Sequence, residues 1–227
     1  MEGSLPVRAA VVVSCHLERP LDDEAWRRFS QLQARGPGGF EIAALIRPPH
    51  TGEDERRWLD RAREAAARGP LGHHTHWTSP THARPMGGDP AGRVREEGEW
   101  LRAQGLEPTL FCGGGWYMDE GVAETVGGLG YTDCTARGLE PCRVRLTSGA
   151  LLPELPTTHS IGALARAVVG RLSPYVHAYF HDYDLLDARR RGALVAALTV
   201  LGRRRAPSGI PSLGDSGIVE FSRAFGR

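Results

Sequence analysis

Apolar, β-branched runs alternate with amphipathic segments about six or seven times along this chain, and that alternation limits its fold more than any other feature. Arg8 to Cys15 (RAAVVVSC) reads as a strand buried on both sides. A helix over LDDEAWRRFSQLQARG follows, capped by Asp22 or Asp23, with Trp26, Phe29 and Leu32 at helical spacing before a Gly-Pro-Gly-Gly stop. Phe40 to Ile46 predicts a second strand, Thr51 to Arg68 a helix with Trp58, Leu59, Ala62 and Ala65 on its inner side, and Leu71 onward a third strand. A helix opens at Asp89-Pro90 and ends at Gln104-Gly105. Pro108 to Cys112 is a strand, about Asp119 to Gly128 a helix, Tyr131 to Ala136 a strand, and Cys142 to Leu155 a short strand or hairpin. Ser160 caps a helix through Val169, Tyr175 to Phe180 is a strand, Asp187 to Arg203 is the last helix, and Ile218 to Phe225 has no clear type. Strands and helices in this order predict an α/β fold, a parallel sheet with helical crossovers; an open doubly wound sheet and a closed barrel both satisfy it. No GxGxxG or GxxxxGK[ST] follows any strand, so a nucleotide-binding version loses support.

The 227 residues form a single domain, 1–227, because no linker-like stretch divides them. A net charge of +1 from 28 basic and 27 acidic residues, scattered without a basic stripe, argues against nucleic acid as a partner. No apolar run approaches the ~18 residues of a membrane span, and the N-terminus lacks the basic region and cleavage site of a signal peptide, so a cytoplasmic location is expected. Cys15, Cys112, Cys134 and Cys142 lie far apart without a CxxC pair, which predicts four free thiols and no structural zinc knuckle.

Four of the nine histidines, His73, His74, His76 and His82, crowd into LGHHTHWTSPTHARP. On a strand, His74 and His76 share a face and His73 takes the other, while His82 can fold back from the following loop as a further ligand. Other unusual residues also fall where strands end: His16 and Glu18 after the first, Gly113 to Tyr117 after the fourth, His181-Asp182-Tyr183-Asp184 after the late one. In a parallel barrel those ends line one rim. A divalent metal held there by imidazoles lowers the pKa of a bound water and polarises a carbonyl, which suits hydrolysis of an amide or ester. Glu18, Asp182 and Asp184 are candidates to take the water's proton, and His181 to protonate the leaving group. His177 shares the face of His181 but reads as a core histidine.

These residues resemble the polysaccharide deacetylases of the NodB-homology type over nearly the whole chain. Gly72-His73-His74-Thr75 is similar to that family's Gly-x-His-Thr segment. Phe111-Cys-Gly-Gly-Gly-Trp-Tyr117-Met-Asp-Glu120 with Leu129-Gly130-Tyr131 is similar to its substrate-binding block, and Tyr179-Phe180-His181-Asp182 to the strand that delivers its acid. The resemblance implies a distorted TIM-like barrel of the (β/α)7 type, a metal bound by Asp-His-His, a carboxylate base near the first strand and a late histidine as acid. The chain departs from the pattern at three places. Ser14-Cys15-His16 replaces the usual Asp-Asp, Thr78 stands where the second histidine ligand is expected, and Cys112-Gly113 replaces an arginine. His16 then substitutes for the aspartate, and His76 or His82 for the missing histidine.

The expected activity is metal-dependent removal of an acyl group, acetyl above all, from the amide nitrogen of an amino sugar or glycoside. The implied catalytic residues are His181, Glu18 and Asp182, and the implied metal ligands His16, His74, His76 and His82. Trp77, Trp116 and Tyr117 are candidates to stack on a sugar, and backbone N–H groups around Gly114 to stabilise an oxyanion. The metal expected is zinc, with nickel, cobalt and iron suited to the same donors. A small-molecule, lipid-linked or nucleotide-linked glycoside is the expected partner. A non-catalytic carbohydrate-binding relative of the same barrel, and a hydrolase of a non-sugar amide, are the alternatives.

Overall fold

The structure, a computed structural model, describes residues 10–135 and 138–207 and a short backbone strand at 218–220. Its first strand, β1 (Ala10–Leu17), is buried at every position. A strand covered on both faces must alternate between two apolar layers. Val11, Val13, Cys15 and Leu17 pack into the layer beneath the helices, whereas Ala10 and Val12 join Leu45, Leu110, Cys112 and Tyr175 in an inner layer. The same alternation carries Ser14 and His16 inward.

Parallel strands β2 (Ala43–Ile46), β3 (Leu71–Thr75), β4 (Leu110–Gly113) and β5 (Thr132–Asp133) follow on one side of β1. Next come β6 (Cys142–Arg145) and β7 (Leu151–Glu154), an antiparallel hairpin in which β7 lies beside β5. Strand β8 (Tyr175–His181) flanks β1 on its other side, and β9 (Ile218–Glu220) adds to β6. The sheet order is β8-β1-β2-β3-β4-β5-β7-β6-β9. Beyond β7 the chain runs on against β8: His159 bridges Ala178 in parallel, Thr158 N and His159 N donate to His177 O at 3.1 and 2.9 Å, and Tyr179 N donates to His159 O at 2.9 Å. This seam brings the ends of the curled sheet together and excludes the open doubly wound alternative. The result is the distorted, TIM-like (β/α)7 barrel that the resemblance implied, with β6 and β9 as an outward extension.

The helices are α1 (Asp23–Arg35), α2 (Glu55–Ala66), α3 (Pro90–Ala103), α4 (Glu120–Gly128), α5 (Ile161–Ala167) and α6 (Ala188–Arg204). Asp22, Asp54, Asp89, Asp119 and Asp187 cap five of them, each carboxylate accepting an otherwise orphaned first-turn N–H. Ser160 stands at the start of α5, but its hydroxyl makes no capping bond. Trp26, Phe29 and Leu32 of α1 and Trp58, Ala62 and Ala65 of α2 bury the apolar stripe predicted from their spacing. Among the described residues, no helix is long and apolar enough to cross a membrane.

Two boundaries bear on the site. Strand β1 extends two residues beyond Cys15, because pairing continues through His16 with His181 and Leu17 with Ile46, so His16 stands on the strand and not after it. Residues 142–155 form the β6–β7 hairpin, with Leu146 N donating to Ala150 O at 2.9 Å across its turn. Of the segment Ile218 to Phe225, Ile218–Glu220 is a strand and the rest lies outside the described residues, as does Ala136.

Candidate metal centre

Register places the histidines. His16 of β1 pairs with His181 of β8, and His74 of β3 pairs with Cys112 of β4, so inward-facing residues from both ends of the chain reach the C-terminal mouth of the barrel together. Ring centroids lie 5.0 Å apart for His16 and His74, 5.1 Å for His74 and His76, and 5.2 Å for His16 and His181. Glu18 Oε1 lies 3.9 Å from both His74 Nε2 and His76 Nε2, and 3.6 Å from His181 Nε2.

Hydrogen bonds behind the rings fix their tautomers. His74 Nδ1–H donates to Cys112 O at 2.7 Å and His76 Nδ1–H to Pro80 O at 3.0 Å; a carbonyl can only accept, so each Nε2 keeps its lone pair. The Nε2 atoms of His16, His74 and His76 are buried without a hydrogen-bond partner among the described residues. Leaving such an atom unpaired costs ~1–3 kcal/mol, and three in one mouth is what a cation would relieve. Burial, reinforced by neighbouring imidazoles, holds His16 well below the usual histidine range, and burial first, then His74, lowers His76 to about 4. Both are therefore neutral at pH 7, the form in which imidazole ligates. Two donor groups have all their ligand atoms within 4.8 Å of one another: His16, His74 and Cys112, and Glu18, His74 and His76. The residues present fit a divalent metal, with His74 common to both groups.

His181 is built differently. Its Nδ1 lies 3.5 Å from Asp184 Oδ2, which also accepts the His181 backbone N–H at 3.0 Å, while the other oxygen of Asp184 is paired with Arg190. The ring stacks on Tyr183 at 4.8 Å and 8°. Burial pushes Asp184 up, but bonds from His181 and the charges of His181 and Arg190 outweigh it and hold the carboxyl below its ordinary value. Glu18 behaves likewise, with His74, His181 and His76 overcoming burial.

Asp182, a candidate proton carrier from the sequence, is directed elsewhere. One oxygen accepts from Arg19 N at 2.7 Å and the other from Tyr183 N at 2.8 Å, which ties the loop after β1 to the loop after β8. Burial pushes this carboxyl up to about 6. His82 is also outside the cluster: it is exposed, in a tight turn where its backbone N–H donates to Ser79 O at 3.1 Å, and it joins neither donor group. His73 faces outward to Glu97 at 2.9 Å. His177 is the core histidine expected, donating to Leu155 O at 2.9 Å and accepting from Ser14 Oγ at 2.8 Å.

The aromatic candidates separate. Trp77 is buried, with Nε1–H donating to Gly114 O at 3.1 Å, and Tyr117 packs on it at 5.3 Å while its hydroxyl donates to the α4 cap Asp119 at 2.5 Å. These two brace the loop after β4. Trp116 instead lies half-buried beside His16 at 5.4 Å and Tyr179 at 5.1 Å. Its φ of 61° is left-handed, a strain of about 1–3 kcal/mol of the kind that collects at functional sites. Tyr179 of β8, half-buried between His177 and His181, is the second member of that wall. Gly114 is packed backbone on backbone: a β-carbon there would sit 2.4 Å from Thr75 O and 2.7 Å from Ala83 O. Gly114→Ala is expected to lower stability by about 1–3 kcal/mol in urea unfolding, since neither contact can swing away.

No protein-family model matches the chain, and no curated protein sequence aligns with it. Solved structures do share its shape. A family 4 carbohydrate esterase from Streptomyces lividans superposes with a TM-score of 0.57 at 13% identity, over 90% of this chain and 93% of that one. The chitin deacetylase of Colletotrichum lindemuthianum gives a TM-score of 0.53 at 11% identity, over 98% and 90%. A 4-alpha-glucanotransferase from Thermococcus litoralis gives 0.54 at 11% identity, over 96% of this chain and 38% of that one. At these identities the likeness establishes one thing, that this chain is folded as the carbohydrate deacetylases are.

Proposed function

We propose that the protein is a metal-dependent hydrolase that removes an acyl group, acetyl above all, from the amide nitrogen of an amino sugar or glycoside. Fold alone does not carry this, because a glucanotransferase has the same fold. The supporting observation is the gathering of three buried, unpartnered Nε2 atoms at the mouth of the barrel, those of His74 and His76 each 3.9 Å from the Glu18 carboxylate. His74, with His16 and His76 beside it, would hold a divalent ion, of which zinc suits the donors best and nickel, cobalt and iron also suit them. When bound, such an ion lowers the pKa of a water toward ~7 and polarises the scissile carbonyl.

The remaining tasks fall to this chain's own groups. Glu18 is 24% exposed, within reach of water and substrate, and the surrounding imidazoles keep it ionised, so it is the general base. His181 donates a proton to the departing amine, with Asp184 holding its ring in line and Tyr183 its plane. Trp116 and Tyr179 form the wall against which a sugar face would lie. In this reading the substrate is a small, lipid-linked or nucleotide-linked glycoside.

Metal analysis of the purified protein, followed by release of free acid from a panel of N-acylated amino sugars and acylated simple amines, tests the proposal. Bound metal with release confined to the sugars supports it; metal-free protein that binds sugars without turnover would make it a binding relative. His181→Ala is expected to keep the metal and lose about 10²–10⁴-fold in kcat. Undiminished turnover in that variant would remove His181 from the mechanism.

A further inference from the structure

We infer that Cys112 supplies a thiolate to this centre, so that His16, His74 and Cys112 form the seat of the ion. The inference rests on the reading that the mouth binds a cation, and adds a donor that the Asp-His-His pattern lacks. One nitrogen of His16, one of His74 and Cys112 Sγ lie within 4.8 Å of one another, and all three residues are buried. Donors at ~2.0–2.3 Å from a tetrahedral ion stand somewhat closer than that, a gap that small side-chain rotations close. The thiol's contact with Gly113 O is long at 3.8 Å, and its other hydrogen-bond partner is Thr135, whose hydroxyl also accepts from Gly113 N at 2.7 Å. The competing group shares His74 but depends on Glu18, whose Oε1 is nearer to His181 than to either of the other imidazoles. Glu18 also stands at the solvent edge of the mouth, whereas His16 and Cys112 are 2% and 1% exposed. Seating the ion on the thiolate leaves Glu18 free as the base.

Binding breaks the Cys112 S–H bond, sends the proton to solvent and forms a sulfur–metal bond, with no change of oxidation state. A thiolate with two imidazoles selects zinc and cobalt over magnesium, calcium and manganese, which prefer oxygen.

Titrating metal-free protein with Co²⁺ tests this by absorption. The expected result is one equivalent bound with a near-ultraviolet sulfur-to-cobalt charge-transfer band. Cys112→Ser abolishes the band, Cys134→Ser keeps it, and Glu18→Gln keeps it while losing turnover. Co²⁺ bound by the wild type without that band, or a band that survives Cys112→Ser, overturns the inference and leaves the hydrolase reading standing. The wild-type spectrum decides the matter even if Cys112→Ser fails to fold. A band in a protein that releases no acid from any acylated amine would instead sink the hydrolase reading and keep the thiolate.

Discussion

Alanine in place of His74 is expected to leave the protein without metal and without turnover. His74 is the one side chain common to both donor groups, so neither retains three donors once it is gone. Removing an outer-shell partner of a metal ligand costs roughly 10–100-fold in affinity or activity, and loss of the shared ligand should exceed that. The variant also leaves Cys112 O without its donor, a loss of about 1–3 kcal/mol. Elemental analysis and acid release measure the main effect. Thermal melting separates it from unfolding: a folded, metal-free, inactive variant is the expected outcome, and a folded variant with full metal content would refute the placement of the ion.

The second large effect lies on the outer face of the sheet, where Asp133 and Glu154 are register partners on β5 and β7. Asp133 Oδ1 accepts from Thr135 N at 2.7 Å and Glu154 Oε2 from the Cys142 thiol at 3.3 Å, but Asp133 Oδ2 and Glu154 Oε1 are buried without hydrogen-bond partners among the described residues. Burial pushes Asp133 up to about 7, and burial together with the Asp133 charge pushes Glu154 up to about 8. Unfolded, both ionise near pH 4. Between about pH 4 and pH 8 the folded protein therefore holds more protons than the unfolded chain, and stability falls as pH rises through that window, levelling off above it. Asp133→Asn keeps the acceptor for Thr135 and offers an amide donor toward Glu154. It is expected to flatten the slope and to gain on the order of 2–3 kcal/mol at pH 8, with little change at pH 4. Unfolding curves at pH 4 and pH 8 for both proteins check this, and parallel pH profiles would refute it.

Much of the architecture was legible because its causes are local. Aspartates before apolar periodic segments mark helix starts, and the unbroken apolar run of β1 announces burial on both faces. Barrel closure was not legible, since it depends on Thr158 and His159 finding β8, a long-range pairing without local signature. Within the site, period-two spacing gave His74 and His76 their shared face, and the strand ends pointed to His16, Glu18 and His181. The same reasoning put Asp182 ahead of Asp184 as a catalytic residue, because only the backbone donors of Arg19 and Tyr183 reveal which carboxylate is occupied. His82 looked like a ligand by proximity in sequence, but a tight turn at Ser79 carries it to the surface. Cys112 passed as one of four free thiols, since its neighbours His16 and His74 come from other strands.

The pairing of β1 with β8 sets Ser14 beside Tyr179, and the hydrogen bond between Ser14 Oγ and His177 Nε2 joins residues 163 apart in sequence. Contacts of such span form slowly and late. During synthesis the imidazoles of the first three strands emerge well before His181 and Asp184, so a growing polypeptide can carry a half-built mouth but not the residue proposed here as the acid. On the proposed mechanism, fragments ending before Tyr175 should be inert whatever ion they capture.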